Sequence, residues 1–152
     1  MNREGNPQWV LGKYPLANHF QADIDNNALW VAILIDDEVA AVPAKVVGVA
    51  ALTTDQSLYG SCLDIEQSAI IPHRVAVSPD YQKLGIAKAL IHKAEEISRD
   101  VGYGRVRIDT HINNPSMKRT LKSLNYSLIA DITKPTKFPV SEKFSVFEKV
   151  LK

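Results

Sequence analysis

His73-Arg-Val-Ala-Val-Ser-Pro-Asp-Tyr-Gln-Lys-Leu-Gly-Ile-Ala-Lys-Ala-Leu90 is the stretch that decides the fold. A strand spanning 69–77 ends at Ser78-Pro79-Asp80, with Val75 and Val77 on one face by the two-residue period of a strand. After Gly85 the apolar positions Ile86, Leu90, Ala94, Ile97 and Val101 fall at spacings of four and three, which predicts a helix that Gly102 stops. The turn between them opens directly into that helix. Free N–H groups at a helix start, aligned with its dipole, make an anion site, and Gly85 lets a phosphate approach with no side chain in the way. The small Ala87 helps. With one glycine in the turn and no Lys after a second glycine, neither the Walker pattern nor the dinucleotide fingerprint is present, which disfavours nucleoside triphosphates and NAD.

Downstream, residues 105–112 alternate, with Val106, Ile108 and Thr110 on one face and Arg107, Asp109 and His111 on the other. This predicts a strand with one polar face, on which Arg107 would pair with Asp109. Asn114 as cap and Pro115 at the first helical position start a further helix that carries Met117, Leu121 and Leu124 inward. Two closing strands are predicted at 127–132 and 144–151, joined through a surface loop at 133–139. Upstream, Leu16, Phe20 and Ile24 recur every four residues and suggest a short helix over 15–27 that Asn26 and Asn27 end. The runs 29–35 and 45–53 read as a hairpin. Strand, helix, strand, helix between hairpins indicates an α/β or α+β mixed sheet.

The whole chain suits this reading. Its 152 residues are enough for a single domain over 1–152, and 45% apolar with 23% charged residues is the balance of a folded chain. Eighteen Lys and Arg against seventeen Asp and Glu leave +1, so no overall field exists to hold nucleic acid or an anionic membrane surface. The lone Cys62 can form neither an internal bridge nor a cysteine zinc cluster, and with no neighbouring His or basic residue it is a poor nucleophile. No metal is expected. There is no signal-peptide pattern and no run of about 18 apolar residues, so a soluble, cytoplasmic protein is expected.

Gln82-Lys83-Leu84-Gly85-Ile86-Ala87, following Val75-Ala76-Val77-Ser78-Pro79, resembles the signature of the GNAT superfamily of acyl-CoA-dependent N-acetyltransferases. Asn114 with Met117 in the next helix, and the Phe147-Glu148-Lys149 strand, match as well. The resemblance covers about residues 8–151, and Pro7-Gln8-Trp9 with Tyr14-Pro15 look like a bacterial subgroup of unassigned substrate. It implies acetyl-CoA as co-substrate, its pantetheine arm pairing with backbone groups of Val75 and Val77. The amides of Gln82, Lys83, Leu84, Gly85, Ile86, Ala87 and Lys88 would hold the pyrophosphate, and Asn114 the pantetheine or its β-alanine unit. The strands at 70–77 and 105–111 would run parallel and splay apart to admit the cofactor. The side chains of Lys83 and Lys88 either meet phosphates or remain solvated.

The implied reaction is direct attack of a primary amine, on a small molecule or a peptide, on the thioester of acetyl-CoA. It needs a neutral amine, a polarised carbonyl and a proton for the thiolate. His73, placed on the face of Val75 and Val77, is the candidate base, against the alternative of a strand-end histidine bonded to a loop. Asp109 and His111 would orient the amine, or else form a polar sheet face with its own salt bridges. Trp9 and Tyr14 would line the acceptor pocket or sit in the core. His19 and His92 read as ordinary helix positions. The family's usual tyrosine acid is replaced by Leu121, which motivates the alternative of a non-catalytic CoA-binding sensor or partner module. The family also places a first strand and most of a first helix before the point where this chain starts. Without them the hairpin edge at Leu29 would be exposed, and self-association, as a homodimer, is expected.

Overall fold

The computed structural model describes residues 15–35, 44–60, 63, 66–134 and 142–152. In chain order the elements are α1 (Ala17–Asp25), β1 (Leu29–Leu34), β2 (Lys45–Thr53), the single turn α2 (Ser57–Gly60), β3 (Ile71–Val77), a 3-10 turn (Pro79–Tyr81), α3 (Ile86–Asp100), β4 (Arg105–His111), α4 (Pro115–Ser123), β5 (Ser127–Lys134) and β6 (Glu142–Val150). Trp9, Tyr14 and Cys62 lie outside the described residues, as does the segment before residue 15 on which the expectation of missing first elements bears. The predicted 133–139 loop begins later than expected, because Thr133 and Lys134 complete β5 by pairing with Lys143 and Glu142.

The strands form two antiparallel three-stranded sheets, ordered β1-β2-β3 and β4-β6-β5. They meet at one parallel bridge, where the Ile70 N–H donates to Arg105 O and the Arg107 N–H to Ile70 O, both at 3.0 Å. Beyond this bridge β3 and β4 diverge. The mixed sheet expected from the order of elements is thus two half-sheets touching at their base.

One core lies under α3 and α4 and gathers Ala50, Leu52, Leu90, Ile91, Val106, Ile108, Leu121 and Phe147 among others. Each Leu or Ile buried there contributes on the order of 1.5–3 kcal/mol. α3 approaches β2 closely because Gly48 has no side chain: a Cβ there would stand 2.7 Å from Ile86 Cγ2 and 3.3 Å from Leu90 Cδ1. The far end of α3 is fixed by the buried carboxylate of Glu95, which accepts from Lys149 Nζ (2.9 Å) and the Tyr126 hydroxyl (3.1 Å) and meets His92 Nδ1. Burial works to raise the Glu95 pKa, but these bonds outweigh it and hold the carboxyl below its usual range. A smaller core on the opposite face holds Tyr59, Ile71, Ile132, Phe144 and Val146.

Three details differ from the periodicity. In α1, Leu16 and Ile24 are exposed and the buried residue is Asp23, which receives a two-pronged ion pair from Arg74. That pair, rather than an apolar stripe, sets how the helix is turned. Val101 is exposed because α3 stops at Asp100 and the chain reverses through Gly102 at φ +78°. Arg107 does not reach Asp109: it donates to Glu148 (2.6 Å), Gln56 and Gln67 O, closing a separate ionic set with Arg105. A groove of about 520 Å³ lies against this set at the start of β4, away from the diverging strands.

Candidate active site

The turn after β3 is shaped by backbone conformation. Ser78 closes the strand by donating to Val47 O (2.8 Å), and the Tyr81 N–H returns to Ser78 O (3.0 Å). Lys83 and Gly85 then adopt positive φ of 64° and 82°. Gly85 caps α3, its carbonyl accepting the Ala89 N–H at 3.0 Å. The consequence is a run of seven amides, from Gln82 to Lys88, none of which donates to any acceptor among the described residues. Space above Gly85 is open, since a Cβ there would meet nothing within 4 Å. Unpaired donors, a glycine without a neighbour and the positive end of a fifteen-residue helix fit a diphosphate. Lys45 adds a cation beside the turn, 3.3 Å from the Tyr81 hydroxyl.

The slot between the half-sheets leads up to this turn. Because Ser78 bonds β2, the backbone groups of Val77 and Val75 alternate to the other side, where β4 has moved away. They are therefore presented to the slot, as a pantetheine amide would need. Across it, Asn114 caps α4: its Oδ1 accepts the Met117 N–H (3.2 Å) and its Nδ2 donates to Thr110 Oγ1 (2.9 Å), which leaves one Nδ2 hydrogen. Leu121 is fully buried in the main core, so its position offers the slot no group of any kind.

The face on which His73 lies departs from the two-residue period. His73 does not share a face with Val75 and Val77. β3 carries an extra residue between the His73–Ala51 and Ala76–Val49 pairs, and Arg74 takes it up at φ +52°. Ile71 consequently belongs to the smaller core while Val75 packs on the α3 side, and His73 follows Ile71. The bulge turns the imidazole toward the face of β4 that bears Asp109. Its ring makes no hydrogen bond among the described residues. Desolvation lowers its pKa, with opposing influences from Asp109 and Asp23, which raise it, and Lys134 and Arg74, which lower it further.

Asp109 and His111 share that face, as expected, and each is already engaged. Asp109 accepts from the Tyr59 hydroxyl through Oδ1 and from Lys134 Nζ at 2.8 Å through Oδ2. Burial and the adjacent carboxylate raise the Tyr59 pKa, so this phenol stays protonated. Lys134 lies over the Tyr59 and Phe144 rings, 5.0 and 5.1 Å from their centroids. His111 accepts the Asn113 N–H on Nδ1 (3.1 Å) and stands edge-on to Phe144. Tyr59 and Lys134 were invisible to sequence patterns, one lying in a single helical turn and the other at a strand end that read as loop. Among the described residues, no three of His, Cys, Asp and Glu gather as metal ligands would. No helix among them is long and apolar enough to cross a membrane.

Splayed half-sheets with an open amide turn at the mouth define an acyl-CoA-type α+β fold. The chain belongs to the acetyltransferase (GNAT) family, whose sequence model matches residues 3–126, and it is an acetyltransferase of that family. Among solved structures, a GNAT-family acetyltransferase of Streptococcus agalactiae superposes with a TM-score of 0.73 at 21% identity, covering 98% of this chain and 80% of that one. NAA60 of Arabidopsis thaliana, solved in complex with acetyl-CoA, gives 0.69 at 16% identity over 91% and 88% of the two chains. The NatC complex, solved bound to Gag peptide and CoA, gives 0.69 at 12% identity over 98% and 88%. These likenesses are of fold. No curated protein matches the chain.

Proposed function

We propose that the protein is a cytoplasmic N-acetyltransferase that binds acetyl-CoA in the slot between β3 and β4 and transfers its acetyl group to a primary amine of a small molecule or peptide. The observation that carries this is the run of seven amides from Gln82 to Lys88 at the end of the slot, which have no acceptor among the described residues. Acetyl-CoA and CoA in the NAA60 and NatC structures support the co-substrate, and the peptide in the latter supports an amine on a peptide as one acceptor class. The pyrophosphate rests on the amide turn, the pantetheine pairs with Val75 and Val77, and the remaining Nδ2–H of Asn114 reaches it from the other wall.

The amine attacks the thioester carbon directly, and His73 takes the amine proton as base, its lowered pKa keeping it unprotonated for that role. The C–N bond forms as the C–S bond breaks, and solvent protonates the thiolate, since Leu121 supplies no acid. Asp109 and His111 shape the acceptor side, with Trp9 and Tyr14 as further lining. The protein acts as a homodimer through the exposed strand β1, without nucleic acid or membrane partners.

Titration of acetyl-CoA into the protein tests the core of this reading. Saturable binding is expected, with at least a tenfold loss in Gly85→Glu, which places a carboxylate in the anion turn. Absence of binding at millimolar concentration, or unchanged binding in the variant, would sink it. Thiol release across a panel of amines then separates the enzyme from a CoA-binding sensor or partner module, which would bind and release nothing above background.

A further inference from the structure

The Asp109–Lys134 pair holds two opposite charges out of water. Both side chains are about nine-tenths buried, and taking two charges out of water costs as much as their attraction returns unless further bonds are made. Here they are made: Tyr59 fills the second carboxylate oxygen, and two aromatic faces flank the ammonium. The unit joins α2, β4, β5 and β6 on the face that His73 shares, next to the strand across the slot. Among the described residues, the other charges around His73 are Arg74 and Asp23, which neutralise each other, and the exposed Asp55 before α2. Among the described residues, Asp109 is therefore the one carboxylate whose effect on His73 depends on whether Lys134 stays in place.

We propose that Lys134 and Tyr59 are positioning residues that clamp Asp109 and cancel its charge, so that His73 meets the incoming amine as a neutral base. The proposal rests on the reading of His73 as that base. Without Lys134, the bare carboxylate would stabilise an imidazolium and occupy the acceptor side with a protonated histidine. Without Asp109, the uncompensated ammonium would repel both an imidazolium and a cationic acceptor. Lys134 thus acts through Asp109 on His73 and has no contact with acetyl-CoA in this scheme.

The test is an NMR titration of His73 in the full chain, its signals assigned among the four histidines with His73→Gln. It is run alongside the pH profile of acetyl transfer. Lys134→Met, which packs a thioether between the same rings, is expected to raise the His73 titration and the acid limb of the profile by about one unit. Asp109→Asn is expected to lower both, Asp109→Asn with Lys134→Met to bring them back near the native values, and Lys134→Arg to leave them native. Opposed shifts with recovery in the double variant are not produced by a structural role, which would lower kcat in both single variants without moving the titration. Shifts of the same sign, or none, overturn the proposal. If Lys134→Met does not fold, Asp109→Asn and Lys134→Arg carry the same comparison. A titration that moves while the profile does not follow would overturn the role of His73 as base and, with it, that of the pair, leaving acetyl-CoA binding intact.

Discussion

Arg74 holds a left-handed backbone angle in the middle of a strand, a conformation that costs a residue with a side chain about 1–2 kcal/mol. The strain persists because both prongs of its guanidinium are fixed on buried Asp23, and because the bulge leaves the Val75 side chain on the α3 side while His73 turns to the opposite face. A period of two counts residues and cannot register one inserted residue, so the histidine's face was not legible in the sequence although its identity was. The correction strengthens its candidacy, since it now faces Asp109 instead of the α3 core. His73→Ala should lower kcat by about 10²- to 10⁴-fold with little change in KM for acetyl-CoA. In the native protein a histidine pKa held below the ordinary value leaves the imidazole unprotonated across neutral pH. The rate should therefore fall only as pH drops through that lowered value. A pH profile of kcat/KM checks this, and a profile with its acid limb above the ordinary histidine range would count against it.

At the level of elements, the two halves of the site differ in how far patterns reveal them. The apolar spacing after Gly85 and the Asn114-Pro115 start are local signals, and α3 and α4 stand where they predict. α1 was legible as a helix but not in its rotation, because one ion pair with a residue 51 positions away overrides a weak apolar stripe. The divergence of β3 from β4 has no local signal at all, and only the family resemblance foretold it. Gly48 shows how a residue of another element, β2, governs the turn. A side chain at this position drives into Ile86 at 2.7 Å and Ala76 O at 3.3 Å, so the first turn of α3 must move outward. Gly48→Val should cost about 1–3 kcal/mol in urea unfolding. It should also raise KM for acetyl-CoA several-fold, because Ile86, which the new side chain displaces, carries one of the amides of the turn. An unchanged KM in a destabilised variant would separate α3 placement from cofactor binding.

For the molecule as a whole, the exposed row on β1 argues for a partner of the same kind. Trp30, Val31, Ile33 and Leu34 are all more than a third exposed, and among the described residues no strand pairs with the outer edge of β1. Light scattering at tens of micromolar should report a dimer, and a clean monomer would argue against self-association. The bridge at Ile70 and Val106 has a different implication, for how the protein comes apart. Backbone pairing between the half-sheets is limited, among the described residues, to two hydrogen bonds, and the rest of their coupling is side-chain packing, so the seam is a natural boundary between two cooperative folding units. In the free protein, amide exchange on β5 and β6 should proceed through openings that leave β2 and β3 protected. A cofactor lying along the seam as an added strand would suture the two units. With acetyl-CoA bound, those partial openings should vanish and exchange on both sides should converge on a single, slower, global event.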